Sequence, residues 1–319
     1  MRGWLILLGM LAATPLLALE PGAWVGVVGS GPPVFSTDAK AWADAELPES
    51  KPATLSLRDV AWGLNRFIAV GGTDTGATIV SSPTGRTWRQ LSLAALAHPS
   101  PAHLIAFGSG RFVVATAREL LVSTDGEKFT SGASLPGTAS LLPRAIACGD
   151  TEAGFCFVLI GDGEGGGDTA HWRASTTDGT TIDHFDTAPR PAQAIAYGAG
   201  HFVTVGSGFI ESSHDGQIWT LHPAPGDALD CVVWTGRRFL AGSPDALWTS
   251  TDALSWTRAP SPAFPHLLWA RDDPTPIAFA LSPSRKLLIS ENLQTWSPTK
   301  SPSTSPTSVA FAPAPDAAR

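Results

Sequence analysis

Ser213-His214-Asp215-Gly216-Gln217-Ile218-Trp219 is the stretch whose reading decides the fold, because versions of it recur along the 319 residues. Ser36-Thr37-Asp38 is followed by Trp42, Ser82 by Gly85 and Trp88, and Ser123-Thr124-Asp125-Gly126 by Phe129. Thr176-Thr177-Asp178-Gly179 leads to Ile182, Ser250-Thr251-Asp252 to Trp256, and Ser290-Glu291-Asn292 to Trp296. The seven starts, at 36, 82, 123, 176, 213, 250 and 290, lie 46, 41, 53, 37, 37 and 40 residues apart, which is a repeat period. The letters have a local logic. A hydroxyl and a carboxylate two residues on satisfy nearby backbone groups, glycine supplies a positive φ, and the aromatic residue buries apolar surface beneath the turn.

The surroundings of the box spell out one repeat. Gln193 to Tyr197, His201 to Val205 and Phe209 to Ser212 are predicted strands separated by Gly-rich turns, and Trp219 to Leu221 opens a fourth after the box. Four short antiparallel strands per ~40 residues is one blade of a β-propeller. The neighbours repeat the pattern at Asp59 to Gly63 with Arg66 to Val70, Leu104 to Gly108 with Arg111 to Ala115, and Val232 to Trp234 with Arg238 to Ala241. The expected fold is all-β, a seven-bladed propeller spanning residues 20–312. Its two ends are complementary fragments: Trp24 to Val28 matches the second strand of a repeat, and Thr307 to Phe311 matches an innermost strand. Pairing of the two would close the ring and remove an exposed edge.

The S-x-D-G-x-x-W boxes and the Ile-Ala-x-Gly-x-Gly-x-Phe-Val-x-Val lead-in resemble the Asp-box, or BNR-repeat, propellers, which include sialidase-like domains and photosystem II assembly-factor-like propellers. The resemblance covers roughly residues 24 to 312, although Pro83 or Thr84 stands where one Asp belongs and Asn292 replaces another. It implies either a binding and assembly module or an Asp-box glycoside hydrolase. A sialidase-like enzyme would carry an Arg-Ile-Pro motif before the first box, three Arg that clamp a carboxylate, and a Tyr nucleophile supported by Glu. This set does not appear. Tyr197, the one tyrosine, occupies the slot filled in other repeats by Trp62, Phe107, Cys148, Trp234 and Phe311, and so reads as core.

Residues 1–19, MRGWLILLGMLAATPLLAL, have the basic start, apolar run and small residues of a secretory signal peptide. A secreted or periplasmic protein is therefore expected, with residues 313–319 as a disordered tail. No later apolar run is long enough to span a membrane. Loss of residues 1–18 removes Arg2, leaving 20 basic against 28 acidic residues and a formal charge of −8, which disfavours nucleic acid and anionic membranes. A protein or glycan partner, a monomeric chain and no cofactor are expected. Three cysteines make an odd count. Cys148 and Cys156 flank a predicted turn over Gly149 to Phe155, which suggests a disulfide across one hairpin, or two buried thiols. Cys231 reads as a small core residue.

Other chemistry is sparse. Asp162, Glu164 and Asp168 lie on the Gly-rich insertion from Gly161 to Ala170 without the spacing of an EF-hand loop, so a solvated loop is favoured over a calcium site. The histidines form no metal-ligand pair, and no G-x-S-x-G elbow supports a Ser nucleophile. Trp172 and Trp248 lie ahead of their boxes, where they contribute either to packing or to an exposed stacking face. One periodic feature remains. Four residues before the aromatic slot stand Arg58, His103, Arg144, Gln193, Asp230 and Thr307, with His266 near the same place in the seventh repeat. In a closed ring these polar residues would surround one mouth of the central channel, with Arg58, His103, Arg144, Gln193, Asp230 and His266 as the candidate binding site. Protonated histidines would make it attractive to a carboxylate. The alternatives are that strand ends are polar simply because they meet water, and that Asp59 neutralises Arg58.

Overall fold

The computed structural model describes residues 22–47, 55–73, 76–93, 96–136, 141–163, 171–261, 266–272, 276–282, 284–300 and 305–313. These form seven four-stranded antiparallel sheets, the blades of a β-propeller. The inner strands of blades 2 to 7 are Leu57–Gly63, Ala102–Gly108, Leu141–Thr151, Ala192–Gly198, Cys231–Trp234 and His266–Arg271. Each of them packs on the next, and the circuit closes through blade 1. Residues 1–19, expected to be a signal peptide, lie outside the described residues, as do 314–319 of the tail expected over 313–319, whereas Pro313 ends a strand.

Blade 1 is assembled from both ends of the chain, as the fragments predict. Its inner strand is Ser308–Pro313, which pairs antiparallel with Gly22–Val27 through Trp24 opposite Phe311 and Gly26 opposite Val309. Val34–Ser36 and Ala43–Asp44 complete the sheet. At the rim, the Trp42 N–H donates to the Lys300 carbonyl of blade 7 at 2.9 Å. On the other side the Glu46 N–H donates to Arg86 of blade 2 at 2.7 Å. The blade that joins the termini is thus hydrogen-bonded to both neighbours.

The boxes are the turns between third and outer strands, and their side chains do what their letters require. In the Ser213 box the hydroxyl accepts the Gly216 N–H at 2.8 Å, while Asp215 accepts the N–H groups of Gln217 and Ile218 at 2.8 and 2.9 Å. Asp125 and Asp252 repeat the pattern, and Asn292 does so through its amide oxygen. The fourth box position takes a positive φ: Gly85, Gly126, Gly179 and Gly216 fill it where strain would be greatest, and Ala39, Ala253 and Leu293 accept it elsewhere. Trp42, Trp88 and Trp256 tuck back, each indole N–H donating to the carbonyl three residues earlier. The core lies between blades. Phe67, Phe112, Phe157, Phe202 and Phe239 on the second strands are fully buried at equivalent positions.

Candidate functional site: the channel mouth

The inner strands begin on the face opposite the boxes, so their first residues surround one mouth of the channel. In four consecutive blades that beginning carries a β-bulge, and the extra residue is the polar one. Leu57 is registered against Gly71 and Asp59 against Val70, which leaves Arg58 over. The same slip isolates His103 between Ala102 and Leu104, Arg144 between Pro143 and Ala145, and Gln193 between Ala192 and Ala194. A bulge releases one residue from the ladder and re-aims its side chain, which is how a polar group is accommodated in an otherwise apolar strand.

The other two positions differ. Asp230 precedes its strand, and its N–H donates at 3.0 Å to the carbonyl of Gly242, against which Cys231 is also registered. In blade 7 the bulge falls at Leu268, two residues further on, so exposed His266 stays in the ladder opposite Leu281.

The bulged side chains meet across blade boundaries. Arg58 Nη1 lies 2.7 Å from His103 Nδ1, and Arg144 Nη1 donates to Gln193 Oε1 at 3.4 Å. Burial, reinforced by the Arg58 charge, pulls the His103 pKa down to about 4, so the imidazole is neutral and accepts the guanidinium proton. His103 therefore adds no positive charge to the mouth. Arg144 is also ion-paired with Asp162, whose other oxygen is 2.8 Å from His171 Nδ1. Asp59 does not pair with Arg58: its oxygens take the N–H groups of Val60 and Ile105, both at 2.9 Å, and the Ser308 hydroxyl at 2.7 Å. Burial raises its pKa against those hydrogen bonds. Of the two arginines, Arg58 therefore has a neutral partner and Arg144 an anionic one. Arg58, Asp59, Arg144 and Ser308 line a cavity of about 320 Å3 whose apolar walls are Leu104, Ile146 and Leu267.

Cys148 and Cys156 are thiols, which corrects the expected disulfide. Cys148 is registered against Phe157 and Cys156 against Gly149, one residue out of step. Successive side chains point to opposite faces of a sheet, so Cys148 packs toward blade 3 and Cys156 toward blade 5. Burial pushes their pKa values up to about 12 and about 11, and that of Cys231 to about 12, which makes all three poor nucleophiles. Tyr197 is held structurally, with its ring 4.7 Å from Phe202 and its hydroxyl donating to the Asp150 carbonyl. Trp172 is buried and its indole donates to the Asp162 carbonyl, so it offers no stacking face, whereas Trp248 is partly exposed. Of the three insertion carboxylates, Glu164 and Asp168 lie outside the described residues.

The sequence names Asp59 beside Arg58 and Asp162 on the insertion, but not that Asp162 pairs with Arg144 while Asp59 turns to backbone groups and Ser308. A signal existed for the Arg144 pair, since Leu142 to Ile146 and Leu159 to Asp162 form one hairpin.

No family model matches this chain, and no curated protein matches it. Solved structures do, at the level of fold. The WD40 domain of Pan2 from Neurospora crassa has a TM-score of 0.54 at 11% identity, covering 77% of this chain and 80% of that one. The computationally designed Ika8 protein has a TM-score of 0.53 at 13% identity over 81% of this chain and 79% of its own. The WD40 propeller domain of Doa1 has a TM-score of 0.52 at 12% identity, covering 81% and 86%.

Proposed function

We propose that this chain is an exported, non-catalytic propeller of the Asp-box type that binds a partner at the channel mouth. The observation that carries the reading is the run of four bulges, at Arg58, His103, Arg144 and Gln193, at the same offset in four consecutive inner strands. Structural convenience would let strand ends be polar without a bulge at the same offset in consecutive blades. The group recognised is an acidic side chain or carboxylate, because Arg58 presents a charge-assisted donor beside a neutral imidazole. Export rests on the N-terminal signal, and the Asp-box assignment on seven turns at one period.

The cavity favours binding over hydrolysis. A glycosidase of the usual kind places two carboxylates about 5–10 Å apart around the scissile bond. Asp59 is the one carboxylate among the residues lining the mouth cavity, and both of its oxygens already accept hydrogen bonds. Replacing both arginines by glutamate (Arg58→Glu, Arg144→Glu) should abolish retention of the native partner from the exported fraction, with Tm within a few degrees of the parent because both side chains are exposed. Undiminished retention by a folded double variant would move the binding surface elsewhere.

A further inference from the structure

A second cavity, of about 330 Å3, opens on the same face as the mouth, further out along blade 6. One wall is the connector from blade 5, residues 224–230, and the other is the turn between the second and third strands, residues 243–246. We propose that it is a saccharide subsite in which a neutral sugar ring packs on Trp248.

Trp248 is the one aromatic residue at its place in the seven repeats, although Leu288 of blade 7 is half-buried there too. Two residues before the box Ser or Thr, blades 2, 3 and 4 have Val80, Leu121 and Ala174, all sealed in the core. Trp248 packs partly on the cluster of Val205, Leu229 and Ala241, and the rest of the indole lines the cavity. Its Nε1 is buried beside Gly226 without an acceptor, so the aromatic group is neither wholly packed nor satisfied. An aromatic surface left open in a preformed concavity is a common feature of ligand sites.

The walls are stiff. Pro225 and Pro244 fix the backbone on the two sides, and the Ser243 hydroxyl accepts the N–H groups of Asp245 and Ala246 at 3.3 and 3.0 Å. Ligand binding would therefore order little that is not already ordered.

The polar groups identify the guest by elimination. Arg258 stands directly opposite Trp248 in the ladder, and its Nη2 is held on the Asp245 carbonyl at 2.9 Å. Its charge in the wall opposes a cationic side chain or a quaternary amine. Asp227 and Asp245 are exposed on the rim and oppose an anion. What suits all three is an uncharged ligand rich in hydroxyls, which donates to the carboxylates, accepts from the guanidinium and presents an apolar C–H face to the indole. The volume lies at the lower end of the ~300–1,000 Å3 typical of small-molecule pockets, enough for a terminal sugar ring with bound water.

Titration calorimetry and saturation-transfer NMR with mannotriose and chitotriose, with choline and glucuronate as charged controls, test the assignment. At least one neutral trisaccharide should bind, and Trp248→Ala should weaken it by about tenfold or more. If that variant fails to fold, the surface double variant Asp227→Asn with Asp245→Asn should weaken binding by a similar factor. The proposal is overturned by absence of neutral-saccharide binding at about 10 mM, where a millimolar site would be filled. Binding that the folded variants leave unchanged overturns it too, as does preference for choline or glucuronate.

Discussion

From blade 2 to blade 6 each blade meets the next through a glycine laid on an aromatic ring, whereas from blade 6 through blade 7 to blade 1 the contacts at the same level use charge. Gly63 lies against Phe107, Gly108 against Phe155, Gly149 against Tyr197 and Gly198 against Trp234, each so closely that there is no room for a Cβ. On the other arc, Arg238 of blade 6 reaches Asp272 of blade 7 with two hydrogen bonds, at 2.7 and 2.9 Å, and Thr235 adds a third at 2.8 Å. Arg271 then stands 4.7 Å over the ring of Phe311 in blade 1. The first kind of joint buries apolar surface and has nothing to titrate or screen, but it tolerates no added atom. The second accommodates varied volume, yet it leaves Asp272, 2% exposed, dependent on Arg238, which is 41% exposed. The charged arc is also where the chain ends meet, and there Trp269 of blade 7 packs edge-on against Trp24 of blade 1 at 4.7 Å, so only part of the joint's strength depends on solution conditions.

The sharpest test of the contrast is a single methyl group. Gly198→Ala drives a Cβ into the Trp234 indole, which is itself packed 4.6 Å from Phe239. It should lower unfolding free energy by about 3 kcal/mol, the upper part of the usual range for overpacking. Urea unfolding measures this, and the loss should be the same at low and high salt. A folded variant with parental stability would mean that the rings slide freely and that the joint is not close-packed.

Asp272→Ala should cost less, about 2 kcal/mol. Removing one partner of a buried pair is usually worse, but Arg238 can turn to water. Its signature is salt dependence: the gap to the parent should narrow between about 0.1 M and about 1 M salt, because the parent loses part of its ion-pair energy while the variant has none to lose. A gap that ignores salt would show the carboxylate acting only through its hydrogen bond with Thr235.

The difference between the arcs also separates what could be read in the sequence from what could not. The box is legible because its bonds run between a side chain and backbone groups two or three residues away, so seven copies at one period identify blades and ring together. Complementary fragments at the two ends likewise betray the closing strand. The mouth residues are legible by offset from the aromatic slot, but the bulges that aim them are not. A bulge is a relation between two strands, and no letter marks it. Cys148 and Cys156 fail for the same reason: a hairpin centred one residue differently reverses the face of every side chain. Gly63, Gly108, Gly149 and Gly198 stand openly after the slot, yet their role appears only when the neighbouring ring is in place. Asp272 lies 34 residues from Arg238, and nothing local couples them.

The smallest expected effect distinguishes the box of blade 7 from that of blade 6 by acid. Asp252 in the blade 6 box has its pKa lowered from 3.8 to about 2, chiefly by the N–H groups of Ser255 and Leu254. A carboxyl whose folded pKa is depressed stabilises the fold above its unfolded value, and that contribution disappears as pH falls through the folded value. The window here runs from about pH 4 down to about pH 2. Asn292 occupies the equivalent place in blade 7 and makes the same two backbone bonds, both at 2.8 Å, with no charge to lose. Asp252→Asn should therefore keep the turn and cost about 1 kcal/mol or less at pH 7, since exposure to solvent screens most of the advantage of the charge. The reciprocal Asn292→Asp should gain a similar amount. Thermal unfolding at a series of pH values reads both, with the two curves converging on the parent between about pH 4 and about pH 2. A constant offset across that interval would show that the box carboxylates act through shape alone.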